Sequence, residues 1–411
     1  MRKTCVTAIA FVLCVAAGGA PAMAADKTPP IQNADTSDQA TLRSGRSFEK
    51  IRGSIPSETY GGAYLDRNSG ALRVMVTRTP ALPQLDPLTD APVELVPVQY
   101  PLEYLERRMT EVFAAADQLS DADSRIVTVD ANEMKNTLEV GVDGPITSTL
   151  RDRIARIAPD TPLELVPGLP RDSGSGESPD LVSRVDDDVQ WASGSFIYSG
   201  LTTSGGPGHC TSGPGVKIGA TRYMLTAAHC AANTGQLIQQ GNINVAGTLQ
   251  TVGTVANRSG YPNLDAMLVN ATTGPTMFRT WYGVVAVSSL PWESLTGQTV
   301  CTGGAFSGER CNISVYGTNF CDTRPAVNKC GLTLAIREDG ANAAGQGDSG
   351  GPVYILAPGT RYSGIVTATQ DVAYFFPCPS YPAGQLPRQC SSRIYFTRIQ
   401  NTLGYFGASL L

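Results

Sequence analysis

The sequence predicts an all-β C-terminal region preceded by a smaller α+β region, and three observations carry that prediction. Charge falls abruptly along the chain: residues 26–184 hold 42 Lys, Arg, Asp and Glu in 159 positions, whereas residues 185–411 hold 23 in 227. The later region consists of short β-branched or aromatic runs, among them "RYMLTAA", "QTVGTVA", "AMLVN", "GVVAVSSL", "YSGIVTATQ" and "RIYFTRI", divided by Gly, Pro and Asn. Regular short strands of this kind make a sandwich or barrel. Between the two regions, "PGLPRDSGSGESPD" (167–180) lacks apolar periodicity and reads as a linker.

In the earlier region, "GGAYLDRNSGALRVMVT" reads as two strands around the turn Asn68-Ser69-Gly70, and "VELVPV" as a third. Leu102, Leu105, Met109, Val112 and Phe113 then recur at helical spacing. "RIVTVD" and "TLEVGVD" read as strands, 146–157 as a helix and "LELVP" as a last strand. From Val93 the order is strand, helix, strand, strand, helix, strand, which predicts a ferredoxin-like unit. It has no cysteine, histidine or phosphate-binding loop and is expected to fold or bind rather than catalyse. In the later region only "QNTLGYFGASLL" reads as a helix.

The chain opens with Arg2 and Lys3, an apolar run to about Ala17, and "AMA" at 22–24, the pattern of a secretory signal with its cleavage site. The apolar run is shorter than the ~20 residues that span a bilayer. Residues 1–24 are therefore expected to be removed and the product secreted, with no membrane partner. Two of the ten cysteines, Cys5 and Cys14, lie in that signal; the other eight follow residue 200, an even number suited to disulfides in an exported chain. Zinc is not expected, since CxxC pairs are absent and there are two histidines. No other cofactor is implied, and a net charge of −5 suggests no nucleic-acid partner.

The chemistry is read from "GQGDSGGPV" (345–353), which sets Ser349 among glycines. A turn could have this composition, so the hydroxyl needs a base and an orienting group elsewhere. His209, in "GPGHCTS", is expected to be an ordinary surface residue; His229, in "LTAAHCA", is the candidate base. Acids are few here. Asp186 to Asp188 fall in the linker and Asp348 in the serine loop, so few candidates remain, and the best of them is Asp265, just before the apolar run "AMLVN". A carboxylate there would be buried and would need a partner, which an imidazole N–H supplies.

"TAAHC", "LDAMLV" and "GDSGGPV", in that order, resemble the signature blocks of the chymotrypsin-like serine peptidases. "VCTGGAFSGERCNISV" and "IYFTRIQNTLGYFGASLL" are similar to segments of the secreted bacterial branch that includes α-lytic protease and the streptogrisins, and "YGGAYLDRNSGALRVMVT" and "VDANEMKNTLEVGVD" resemble that branch's prosegment. The resemblance implies two six-stranded antiparallel barrels with a C-terminal helix. It divides the chain into a signal peptide (1–24), a prosegment (25–166), a linker with the processing site (167–190) and a peptidase domain (191–411). It implies Ser349 as nucleophile, His229 as base, Asp265 as its orienter, and the N–H groups of Gly347 and Ser349 as oxyanion hole, with Asp348 holding the loop. A substrate pocket would be lined by Ala343, Ala344, Gly345, Thr367, Ala368 and Thr369, none of them charged, with Asp371 the one acid nearby. The resemblance supports the disulfides Cys210–Cys230 and Cys301–Cys311, and sequence proximity suggests Cys321–Cys330 and Cys378–Cys390. No cysteine lies directly before the serine loop, and "YGTNFCDTRPAVNKCGLTL" carries an extra pair, both departures from the wider family.

The expected function is a secreted monomeric serine endopeptidase made as a zymogen, acting on proteins or peptides after an uncharged side chain, with its own prosegment as folding aid and inhibitor. A catalytically silent binding protein and an esterase on the same scaffold are the alternatives.

Overall fold

The structure, a computed structural model, describes residues 36–167, 184, 187 and 190–411, apart from 122, 242–248, 260–263, 280–282, 324–327, 357–359, 370–374 and 379–387. The expected signal peptide and most of the linker, with Asp186, Asp188 and Asp371, lie outside the described residues. No helix among the described residues is long and apolar enough to cross a membrane.

The N-terminal region begins with α1 (Thr36–Ile51), a helix outside the expected elements. Its small residues look like loop composition but serve close packing: a Cβ on Gly45 would fall 2.0 Å from the Trp292 ring. Then follow β1 (Tyr60–Leu65), β2 (Leu72–Val76), β3 (Val93–Pro97), α2 (Leu102–Ala114), the single turn α3 (Ala116–Leu119), β4 (Arg125–Asn132), β5 (Thr137–Asp143), α4 (Ser148–Ile157) and β6 (Leu163–Pro167). The helix α2 buries Leu102, Leu105, Met109, Val112 and Phe113, the five positions its spacing marks. Thr147 caps α4 by accepting the Leu150 N–H.

The order of elements is that of a ferredoxin-like unit, but the pairing is not. β3 lies parallel to β2 in a three-stranded sheet with β1, while β4, β5 and β6 join a different sheet. The place between β5 and β6 that β3 would have taken is closed by their direct parallel pairing, and the free edge of β4 is taken by a strand of the later region. Chain order carries no information about that choice.

The later region is mostly β and ends in a helix, α5 (Ile399–Phe406), stopped by Gly407 in the left-handed conformation. Strands 299–304, 308–322, 329–336, 393–398, 361–369 and 352–355 pair in that order, and 352–355 returns to 299–304, closing a six-stranded barrel. The other half is an antiparallel run of strands 215–218, 221–226, 267–270, 250–258, 237–240 and 196–199, extended by 409–410 at one edge and 208–211 at the other. Among the described residues its ladder stays open.

The N-terminal region docks on the closed barrel. β4 pairs antiparallel with strand 308–322, Phe320 opposite Asp130 and Cys321 opposite Val129, so one nine-stranded sheet runs through both regions. Thr41 of α1 accepts the Thr299 N–H at 3.0 Å, and Arg67, after β1, donates to Gly297 O at 2.8 Å and Ser314 Oγ at 2.7 Å. The expected linker is also shorter than 167–190. Arg184 is buried, its guanidinium donating to the carbonyls of Gly194, Gly304 and Phe278, while Asp187 accepts the Ala192 N–H at 2.8 Å. A cation that satisfies carbonyls of strand 299–304 belongs to the C-terminal fold rather than to a tether.

Candidate active site

His229 sits on the single 3-10 turn Ala228–Cys230 that follows strand 221–226. The Cys210–Cys230 disulfide ties this turn to strand 208–211. Asp265 is 1% exposed and spends both carboxylate oxygens on one residue: Oδ2 lies 2.6 Å from His229 Nδ1, and Oδ1 accepts the His229 backbone N–H at 2.9 Å. The second bond fixes the turn, the first the ring. Burial alone would pull the imidazolium pKa down; the charge and hydrogen bond of Asp265 outweigh it and leave His229 above its ordinary value. Burial likewise raises Asp265, and the paired imidazole outweighs that and holds its carboxyl below the usual carboxylate range.

Ser349 is half-buried, and its carbonyl accepts the Thr211 N–H at 2.8 Å, with Cys230 Sγ at 3.9 Å. The serine loop is thereby seated against the strand and turn that carry the disulfide next to His229. Gly350 has φ +84°, and a Cβ there would meet Thr226 Oγ1 at 2.0 Å and Ala227 N at 2.9 Å. Only glycine permits this approach of the serine loop to the histidine turn. Among the described residues Ser349 Oγ makes no hydrogen bond, and neither the Gly347 nor the Ser349 N–H donates to a protein group. Gly347 has φ +90° and lies against the Phe306 ring, its carbonyl accepting from Thr211 Oγ1 at 2.8 Å.

Asp348, fully buried, holds the loop as expected. Its carboxylate accepts the N–H groups of Phe306 (3.1 Å), Ser307 (3.0 Å) and Gly345 (2.7 Å). A cation missed in the sequence completes the shell: Arg388 Nη2 lies 3.4 Å from Asp348 Oδ2, Nε donates to Gln346 O at 2.6 Å, and the guanidinium lies 4.8 Å from the Phe306 ring centre. Arg258 is a second such residue, donating to Ala228 O at 2.9 Å and to Ala232 O, so that it grips both ends of the histidine turn.

Of the pocket residues, Ala343, Ala344 and Gly345 are buried, with Ala344–Gly345 paired to strand 389–391. A Cβ on Gly345 would lie 2.6 Å from Cys390 Sγ, so the Cys378–Cys390 disulfide backs this wall. Ala368 and Thr369 are half-buried, but Thr367 turns inward and its hydroxyl bonds Thr397 Oγ1 at 2.9 Å. All four expected disulfides are present: Cys210–Cys230, Cys301–Cys311, Cys321–Cys330 and Cys378–Cys390. His209 is not the free surface residue expected; it is half-buried, its ring 5.9 Å from that of Phe196 and 5.7 Å from that of Tyr198. Cys210, His229 and Cys230 place ligand-type atoms within 4.8 Å of one another, but both sulfurs are spent in the disulfide.

No protein-family model matches the chain, and no curated protein matches it. Solved structures do. The chain is similar to protease A of Thermobifida fusca, with 27% identity over 54% of this chain and 97% of that one, at a TM-score of 0.39. It is similar to a Nocardiopsis protease (20%, 52% and 95%, TM-score 0.37) and to the α-lytic protease homolog N4 (19%, 54% and 98%, TM-score 0.37). These TM-scores lie below 0.5, so the chemistry assigned to this chain rests on its own residues.

Proposed function

We propose that this chain is the precursor of a secreted serine endopeptidase. The observation that carries the reading is the Asp265–His229 pair held beside a glycine-rich loop whose serine hydroxyl and Gly347 and Ser349 N–H groups are unengaged among the described residues. In the reaction, Ser349 Oγ attacks the peptide carbonyl carbon and His229 Nε2 takes its proton, Asp265 stabilising the imidazolium. The oxyanion is received by the N–H groups of Gly347 and Ser349, where one donor is worth about 3 to 4 kcal/mol. His229 then protonates the leaving amine, and water releases the acyl group by the same steps in reverse. The serine rotamer must turn toward His229 on substrate binding, since catalytic hydrogen bonds often tighten only in the complex. The lining of Ala343, Ala344, Gly345, Thr367, Ala368 and Thr369 suits an uncharged side chain on the acyl side of the cut bond.

The N-terminal region acts as a prosegment: folding aid, then inhibitor, then discarded. Removal takes place N-terminal to Arg184, because that side chain is part of the C-terminal fold. The test is labelling by a fluorophosphonate, which esterifies a serine activated by a histidine. Processed protein is expected to be labelled at Ser349, and Ser349→Ala not at all. Wild-type protein that is folded, processed and unlabelled would leave the silent binding protein as the better reading.

A further inference from the structure

The contact between the two regions buries carboxyls that association alone would not call for. Glu133, just after β4, is 2% exposed, and its Oε1 accepts from two hydroxyls of the C-terminal region, Thr296 Oγ1 at 2.5 Å and Thr318 Oγ1 at 3.1 Å. Asp130 on β4 is 3% exposed and has Phe320 of the C-terminal region opposite it; among the described residues its Oδ1 has no hydrogen-bond partner. Two hydroxyls are a poor substitute for hydration of a carboxylate, and an unpartnered buried carboxylate is costlier still. A protonated carboxyl has no charge to desolvate.

We propose that Asp130 and Glu133 make the contact between the regions pH-sensitive, tight while both carboxyls hold their protons and looser once they lose them, so that a rise in pH releases the N-terminal region. The surroundings favour the protonated forms. On β5, Glu139 lies opposite Asp130, its charge shared with Lys135, which also bonds Glu164 of β6. Asp322 lies two residues beyond Phe320, opposite Lys329 on the neighbouring strand. Around Glu133 stand Glu106 of α2, Tyr60 of β1, and the cations Arg52 and Arg398. Burial, then the charges of Glu133 and Glu139, push the Asp130 carboxyl far above the carboxylate range against the pull of Lys135. Burial also raises Glu133, opposed by its two threonine hydrogen bonds and by Arg398.

The sign follows from linkage. Below about pH 4, where free Asp and Glu are protonated in any case, the contact is at its tightest. As pH climbs from there to the raised values, each carboxyl must take up a proton to bind, and the dissociation constant grows by up to about tenfold per pH unit for each. Above the raised values the loss levels off.

The inference rests on the reading that the N-terminal region leaves the active protein, but its test is separate. Full-length chain carrying Ser349→Ala, with a site for an added specific protease placed between Pro167 and Arg184, is nicked, and dissociation of the two pieces is measured by analytical ultracentrifugation from pH 5 to 9. Weakening of at least tenfold toward pH 9 is expected, and loss of most of that slope in Asp130→Asn/Glu133→Gln. A flat wild-type profile, or an unchanged slope in the double variant, overturns the proposal while leaving the peptidase reading to the serine probe. Should the double variant not fold, hydrogen exchange of the Thr323 amide, which bonds Val127 O across the contact at 3.2 Å, decides. Its protection in the un-nicked chain is expected to fall with pH faster than that of Cys230, whose amide bonds within its own turn; equal pH dependence overturns the proposal.

Discussion

His229 serves as a base only while neutral, and Asp265 holds it charged to a higher pH than a free imidazole. Activity is therefore expected to rise with pH through an acid limb in kcat/KM lying above about 6.5, the ordinary histidine value. Asp265→Asn removes the charge that raises this pKa and leaves the burial that lowers it. The limb should move to lower pH while kcat falls by about 10⁴-fold, as expected when the wrong tautomer is held; a pH–rate profile of both proteins checks this, and an unmoved limb would contradict the assignment. Arg388 makes a different prediction. Removing one partner of a buried ion pair costs about 3 to 5 kcal/mol, and three N–H donors still hold Asp348, so Arg388→Ala is expected at the low end. Its effect should appear in the melting temperature and in kcat, through a loosened Gly347–Ser349 loop, with KM little changed. The proposed triad is legible because each member sits in a local pattern: a hydroxyl among glycines, a histidine beside a cysteine, an acid abutting an apolar strand. Arg388 had no such flag, since its partner lies forty positions away in sequence.

Elements were legible where one face is buried against a uniform neighbour, as in α2, whose five apolar positions are the five that the fold buries. They were illegible where the partner is distant. The small-residue face of α1 makes sense only beside Trp292, and the partner of β4 is strand 308–322, nearly two hundred residues on. The hairpin that receives β4 has its own staple, Cys321–Cys330, and both sulfur-bearing residues belong to the apolar core of the N-terminal region, with Val129 and Leu138. The bridge thus shapes the docking edge as well as closing a short loop. Replacing both cysteines by serine should lower the melting temperature of the precursor more than that of the processed protein, because only in the precursor do the substituted side chains sit in that core. Calorimetry of the two forms measures it, and equal losses would confine the bridge to the hairpin.

Over the whole molecule, the closed barrel draws its six strands from positions between 299 and 398, and strand 299–304 is sealed on one side by strand 308–322 and on the other by 352–355. Non-local closure of this kind folds slowly, because loop entropy is lost before the contacts form. The proposed folding role of the N-terminal region would act on the first two of these strands. Its β4 extends the sheet at strand 308–322, and α1 and the turn after β1 bond Thr299 and Ser314 on two adjacent barrel strands and Gly297 just before the first of them. All these bonds are to the closed barrel, so a region with the proposed folding role would template that half and leave the Asp265–His229 half to follow. Residues 184–411 produced alone and diluted from denaturant are therefore expected to regain little serine reactivity, and residues 26–183 added as a separate chain should restore it. The rate of recovery should rise with the concentration of the added chain and then saturate, as for a bound intermediate. Starting at Arg184 matters, because its guanidinium caps the carbonyls of Gly194 and Gly304; material starting at Val185 should recover less under the same conditions. Full reactivity of residues 184–411 without the added chain would reject the folding role, whatever the later fate of the N-terminal region.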